Sequence, residues 1–310
     1  MTAAASARIA LGPDGADTGT VAVVEQAGGE VVALADAEAL VWTVSDPTGF
    51  PADLPDDIRW VQLPSAGIEA WLARGLVDTR RTWTSAIGAY ARPVAEHAVA
   101  LLLAGLRQLP AALAADTWRK HELMPATRTL SGSRVGIYGA GSIARAMIPV
   151  LAALGAETVA VNRSGRPVPG AVTTMAAAEA GGFWGSVDHV LVAAPATSET
   201  RHLVGAAELE QMRGHAWLVN VARGSLVDTD ALLPALDAGR IAGVALDVTE
   251  PEPLPQGHWL FGHPRAIVTP HIANPASTLV QGLHDRISEN VSRFVRGEGL
   301  VGIVDLDSGY

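Results

Sequence analysis

Apolar and polar positions alternate along this chain in two registers, short apolar runs and longer amphipathic stretches. In the N-terminal third, residues 8–11, 20–24, 30–34 and 39–44 read as strands or buried segments, 59–63 as a clearer strand, and 46–57 as a loop rich in Pro and Asp. Pro93 stands at a helix start, and the helix it opens, 94–109, is apolar on most faces, which marks an element buried between layers or between domains. From Arg134 the pattern becomes regular. Strands are predicted at 134–138, 158–162, 188–194, 216–221, 243–248 and 266–269, with helices at 143–154, 174–180, 206–212 and 230–237. Strands alternating with helices in this way mean a parallel sheet with right-handed crossovers. A long amphipathic helix over 277–296 and a short strand over 302–306 close the chain, without repeats or low-complexity linkers.

Composition narrows the chemistry. A chain of 310 residues carries a prior of two domains, and 49% hydrophobic with 17% charged residues is ordinary for a globular protein. The complete lack of cysteine removes thiol nucleophiles, disulfide frameworks, zinc ribbons and iron–sulfur clusters. Lys120 is the sole lysine, and its neighbours Arg119 and His121 do not resemble a Schiff-base pocket. Neither a phosphate-binding Gly-Lys-Ser/Thr loop nor a Gly-x-Ser-x-Gly elbow is present, and His121-Glu122 lacks the second histidine of a zinc helix, so no metal is expected. A net charge of −10 argues against nucleic acid or an anionic membrane as partner. Gly12-Pro13 interrupts the first apolar stretch and 98–106 is far too short to span a bilayer, so the expectation is a cytoplasmic protein.

Gly139-Ala140-Gly141-Ser142-Ile143-Ala144 follows a strand and opens a helix with Gly-x-Gly-x-x-Ala spacing. Gly139 permits the tight turn, Gly141 lets backbone approach a pyrophosphate, and the small Ala144 lets helix and strand pack closely, while the helix start, at Ser142 and Ile143, attracts phosphate. The end of the next strand selects the cofactor. A carboxylate there would bind ribose hydroxyls, but the sequence has Asn162-Arg163-Ser164 with Arg166 close by, a set that pairs with a 2′-phosphate. NADP(H) is therefore the preferred cofactor, with NAD(H) the alternative.

Arg223, Glu252 and His271 lie on loops after three late strands, and in an open parallel sheet those carboxyl ends face the ligand crevice. The set suits hydride exchange between a nicotinamide and a 2-keto acid. His271 would give the carbonyl oxygen its proton, Glu252 would stabilise the charged imidazole, and Arg223 would hold the carboxylate and polarise the carbonyl.

Over essentially its whole length the chain resembles the D-isomer-specific 2-hydroxyacid dehydrogenase family. The resemblance rests on Ala95-Glu96-His97, the Gly139–Ala144 turn, Ala194-Pro195-Ala196-Thr197, Leu218-Val219-Asn220-Val221-Ala222-Arg223-Gly224, Leu246-Asp247-Val248, Pro251-Glu252-Pro253-Leu254-Pro255 and Thr269-Pro270-His271-Ile272-Ala273. It implies Arg223, Glu252 (rather than Glu250) and His271 as catalytic residues. It also implies Pro195 and Val221 beside the cofactor, Asp247 at the nicotinamide carboxamide, and the backbone of Ser65-Ala66-Gly67-Ile68 around the substrate carboxylate. The implied fold is α/β: a Rossmann-type doubly wound parallel sheet over 94–281, with a smaller flavodoxin-like α/β substrate domain made of 1–93 and 282–310. Crossing helices would form the hinge for closure, and residues 94–119 the contact arm of a homodimer. The substrate would be a 2-keto or 2-hydroxy acid, either glyoxylate or hydroxypyruvate, in the manner of glyoxylate/hydroxypyruvate reductases, or a bulkier 2-keto acid. A formate- or phosphite-type dehydrogenase, or a cofactor-gated binding module, are the alternatives on this fold.

Other residues carry blander expectations. Asp228 reads as a helix cap, His97 as a structural residue of a buried helix, Tyr90 and Arg92 as surface groups near the cleft, and Trp259 as a core or interface residue within reach of the site.

Overall fold

The structure is a computed structural model that describes residues 6–13 and 17–306; the remaining residues of the expected domain limits, 1–5, 14–16 and 307–310, lie outside the described residues. By its contacts the chain divides into two units, Met1–Tyr90 with Ala276–Tyr310, and Ala91–Pro275, so the helix Ala276–Arg296 falls wholly in the first.

The first unit is built on a five-stranded parallel sheet: β1 (Ala7–Gly12), β2 (Gly29–Val31), β3 (Ala39–Trp42), β4 (Trp60–Gln62) and β5 (Thr82–Thr84), in the order β2-β1-β3-β4-β5. This is the flavodoxin-like order. Successive strand residues serve opposite faces. Val41 packs with Ile9, Val24, Ile287 and Val291 under the helices Thr18–Gln26 and Ala276–Arg296, while Leu40 and Trp42 join Phe50, Trp71 and Trp83 on the other side.

Three expectations fail, mainly in this unit. Residues 20–24 are helical: Asp17 caps Thr18–Gln26 by accepting from the Thr20 amide (3.0 Å) and hydroxyl (2.7 Å), and the capped turn outweighs the strand preference of a Val-rich run. Residues 302–306 form a single antiparallel bridge, Ile303 to Thr84, and not a strand. Two backbone bonds flank the bridge, the Ser85 amide to the Gly302 carbonyl (2.8 Å) and the Val304 amide to the Trp83 carbonyl (2.9 Å), and the pairing goes no further; just before it, buried Asn290 bonds both the Val301 carbonyl (2.9 Å) and amide (2.8 Å). The expected helix over 174–180, in the second unit, is a strand, Thr173–Ala176, running into a 3-10 turn; its alanines mask an edge strand that extends the sheet beyond its neighbour. The strand Thr82–Thr84 and the short helix Glu69–Ala73 were not anticipated.

The second unit carries seven parallel strands, β6 (Arg134–Tyr138), β7 (Glu157–Asn162), β8 (Thr173–Ala176), β9 (His189–Val192), β10 (Trp217–Asn220), β11 (Gly243–Leu246) and β12 (Ala266–Val268), ordered β12-β11-β10-β9-β6-β7-β8. Chain order reverses between β6 and β9, the point at which doubly wound sheets open a ligand crevice. Helices Ala91–Leu106 and Ser142–Ala153 cover the face bearing Trp217 and Val219, while Ala206–Gln211 and Thr229–Asp237 cover the face bearing Val190, Val192 and Leu218. Ser142–Ala153 buries Ala144, Met147, Ile148 and Leu151, one stripe at helical spacing. Asp228 does cap its helix, accepting from the Asp230 amide at 3.1 Å. Among the described residues no helix is long and apolar enough to cross a membrane.

Candidate active site

The turn after β6 is shaped for close backbone approach. Gly139 has φ 101°, and a Cβ there would lie 2.2 Å from the Ala194 amide nitrogen, so no side chain fits. Its own amide and that of Ala140 donate to the Val161 carbonyl (3.0 and 2.9 Å), fixing the turn against β7. Gly141 is the opposite case, since a Cβ there would meet nothing within 4 Å. No side chain caps the helix that follows, so its first-turn amides, at Ser142 and Ile143, are left for an outside acceptor. Open space in front of uncapped amides fits a dinucleotide pyrophosphate.

Beyond β7, Asn162 organises the next loop. Its side chain donates to the Arg166 carbonyl (2.8 Å) and accepts from the Ser164 amide (3.1 Å), with Arg163, Ser164 and Arg166 all exposed on the resulting turn. The Pro195 carbonyl accepts from the Thr200 hydroxyl at 2.7 Å. Val221 is buried among Val219 and Ala245, so only its backbone is available to a ligand.

At the end of β10, buried Asn220 shapes the turn that carries Arg223. It donates to the Arg223 carbonyl (2.8 Å) and accepts from the Ala222 amide (3.0 Å). Gly224 is required next to it, because a Cβ would lie 1.9 Å from the Thr249 carbonyl oxygen. That contact presses the Arg223 turn against the loop after β11, where two glutamates diverge. Glu250 pairs with Arg201 (2.8 Å) and His202 (2.9 Å), whose hydrogen bonds, His202 first, hold its carboxyl below the usual range. Glu252 instead meets His271, Oε1 to Nδ1 at 2.6 Å. A carboxylate only accepts, so Nδ1 carries the proton and Nε2 is the nitrogen left for a substrate. The side chains are 51% and 42% exposed, which makes this contact worth at most about 1 kcal/mol of stability; what it supplies is ring orientation.

His271 has φ 54°, a conformation that costs a residue with a side chain roughly 1–2 kcal/mol. Its amide is held by the Asp247 carbonyl (2.8 Å) and the Thr269 carbonyl (3.0 Å). The Asp247 side chain, 1% exposed, accepts from the Thr269 hydroxyl (2.6 Å) and from the Ile272 and Ala273 amides (3.0 Å each). His97 also reaches this carboxylate, a placement that a lone histidine in an apolar helix does not reveal from sequence. Asn220 and Thr269 were likewise missed; the one polar residue in the apolar run of β10 was the available signal for the former.

In the first unit, the Ser65 hydroxyl donates to the Gly67 carbonyl (2.7 Å) and the Ser65 carbonyl accepts from Ala86, so the turn with Ala66 at its exposed tip is closed on itself. Tyr90 donates to the Pro64 carbonyl at 2.6 Å, and burial pushes its phenol up to about 12. In the second unit, Trp259 packs between His258 and His263 at ring distances of 5.7 and 5.8 Å.

Comparison with known proteins places this geometry. Residues 99–273 match the model of the D-isomer specific 2-hydroxyacid dehydrogenase NAD-binding domain. An uncharacterised protein from Corynebacterium melassecola is 38% identical over 94% of this chain and 96% of its own length. Glyoxylate/hydroxypyruvate reductase A of Serratia proteamaculans is 35% identical over 57% of this chain, and the match spans 56%, little over half, of that enzyme. Among solved structures, a D-isomer specific 2-hydroxyacid dehydrogenase from Xanthobacter autotrophicus Py2 in complex with NADPH and MES superposes with a TM-score of 0.82 at 28% identity, covering 99% of this chain and 100% of the other.

Proposed function

Because this chain belongs to the D-isomer specific 2-hydroxyacid dehydrogenase family and is an NAD(P)-dependent oxidoreductase, we propose that it reduces a small 2-keto acid to the D-2-hydroxy acid, with NADP(H) as the preferred cofactor. The observation that carries this reading is the His271–Glu252 contact at 2.6 Å, on loops at the same sheet edge as the Gly139–Ser142 turn. The cofactor, when bound, supplies the hydride. His271 gives its Nε2 proton to the carbonyl oxygen, Glu252 holds the ring and balances its charge, and Arg223 binds the carboxylate while polarising the carbonyl. Gly139, Gly141, Ser142 and Ile143 would hold the pyrophosphate, and Pro195, the Val221 backbone and Asp247 the nicotinamide side.

Asn162, Arg163 and Ser164 support the NADP(H) preference, because the turn offers a cation and a hydroxyl where a carboxylate would repel a 2′-phosphate. The Xanthobacter relative, crystallised with NADPH, points the same way. Glyoxylate and hydroxypyruvate are the first substrates to try, from the name of the Serratia relative. Exposed Leu113 and Trp118 support homodimer contact through 94–119.

The test is a panel of 2-keto acids followed by consumption of NADPH and NADH. Turnover of glyoxylate or hydroxypyruvate is expected, with KM for NADPH about tenfold below that for NADH, the value of one charge-assisted contact. No turnover with any 2-keto acid would defeat the reaction assignment, and a tenfold preference for NADH the cofactor assignment alone.

A further inference from the structure

Resting on the assignment of His271 as proton donor, we propose that His97 is a positioning residue for it, acting through Asp247. His97 Nε2 lies 3.1 Å from the Thr269 hydroxyl and 3.2 Å from Asp247 Oδ1. The proton on this contact is fixed by its neighbours. The one hydroxyl hydrogen of Thr269 goes to Asp247 Oδ1, 2.6 Å away, and the Asp247 carboxylate takes two backbone amides as acceptor. Both groups therefore need a donor from His97, so Nε2 carries the hydrogen and is shared between them.

The origin of the donors gives His97 its role. Of the donors to the Asp247 side chain found among the described residues, Thr269, Ile272 and Ala273 belong to the very loop that presents His271. They tie the loop to the carboxylate but cannot fix the carboxylate itself. His97 stands on Ala91–Leu106, whose Ala95, Ala98, Val99, Leu101 and Leu102 are buried against the sheet, so its donor is anchored in the scaffold. It sets the rotation of the Asp247 carboxylate, and through the Ile272 and Ala273 amides that rotation sets the backbone of a histidine held at φ 54°. Without this donor, Asp247 Oδ1 loses a partner in a nearly dry site, the two amide bonds loosen, and His271 can relax out of its left-handed conformation and away from Glu252.

The experiment compares His97→Leu, which keeps bulk without a donor, with His97→Gln, whose amide nitrogen reaches to a similar point. His97→Asn, polar but too short to reach, replaces the leucine variant if that one does not fold. Two readouts are taken: amide exchange at Ile272 and Ala273 in the cofactor-free protein, and kcat and KM with NADPH and a 2-keto acid. The leucine or asparagine variant is expected to exchange these amides about tenfold faster and to lower kcat about tenfold, with a smaller rise in KM for NADPH because Asp247 also serves the nicotinamide side, and the glutamine variant to recover most of each. Unchanged exchange in the leucine or asparagine variant overturns the proposal, and so does a glutamine variant as impaired as either, which would mean that only packing matters. If the wild-type chain reduces no 2-keto acid, the reaction assignment falls, and the exchange comparison still decides whether His97 holds the loop.

Discussion

At the carboxyl edge of the seven-stranded sheet, His271, Glu252, Asp247 and Arg223 sit on loops that leave β10, β11 and β12; at its amino edge, Asp188, His189, His215 and Arg213 gather where β9 and β10 begin. The residue types match, yet their uses differ. Asp188 accepts from the Arg134 amide (2.7 Å) and from His215 (3.0 Å) and pairs with the Arg213 guanidinium. Burial works against its charge, but those three partners hold the carboxyl below its usual range. His189 is 1% exposed and accepts from the Trp217 amide (3.2 Å), and burial, with His215 adding to it, brings its pKa down to about 4. A cavity of about 230 Å³ opens there, lined by Arg128, Ser131, Asp188 and His215 among others, but Asp188 and His215 are committed to each other and Arg128 donates to the Pro125 and Thr127 carbonyls (2.8 and 2.9 Å). The amino edge spends its polar groups on starting strands in register. The carboxyl edge leaves an exposed imidazole in a strained conformation, aimed by a carboxylate. Residue type alone does not make a site; a group left available, and held where it would not rest unaided, does.

The largest effect that separates the two edges is loss of His271. His271→Ala should lower kcat by ~10²–10⁴ while leaving the unfolding midpoint nearly unchanged, since the side chain is half exposed. Arg223→Ala should chiefly raise KM for the keto acid and also slow turnover. Steady-state kinetics beside thermal melts decide both, and near-native turnover in the His271 variant would erase the contrast between the edges.

The amino edge should answer to pH through stability. Folded His189, with a pKa of about 4 against an ordinary 6.5, takes up its proton later than the unfolded chain does. Its contribution is therefore complete above about pH 6.5 and is lost as pH falls toward 4, about 3 kcal/mol over that window. Asp188, also lowered, adds loss in the same direction at more acid pH. Unfolding midpoints from pH 7 to 4 should fall more steeply in the wild type than in His189→Gln, with equal kcat at neutral pH. Parallel slopes would place His189 outside the acid response.

The contrast also bears on what the sequence could disclose. Residues 134–138 matched β6 end to end because an apolar run bounded by the Gly139 turn carries its own limits, and Gly139, Gly141 and Asn162 announce a dinucleotide turn locally. His271 follows a strand of a parallel sheet, as do both Glu250 and Glu252; the family resemblance, not position, selects Glu252 between the two, and the 2.6 Å contact belongs to the structure. The first unit was less readable: Thr18–Gln26 is helical through a cap outside the apolar run, and Thr82–Thr84 is a strand of only 3 residues, whose buried Thr84 accepts from the Trp60 indole. His97 and Asp247 could not be paired by reading along the chain. Their contact exists only once a helix and the end of β11 pack together, and nothing local to either residue signals it.

The smallest effect offers the sharpest division, between two glutamates that flank Pro251. Glu250→Gln gives up ion pairs with Arg201 and His202 that are partly exposed, so it should cost at most about 1 kcal/mol of stability and change kcat by less than about twofold. Glu252→Gln keeps an oxygen for His271 Nδ1 but removes the negative charge that balances a protonated ring, and kcat should fall about tenfold with little change in the melting temperature. The two substitutions are chemically identical and two positions apart, so any difference comes from partners alone. Should Glu250→Gln prove the slower enzyme, the carboxylate that matters would be the one bound to Arg201 and His202, and the division of labour within this loop would be reversed.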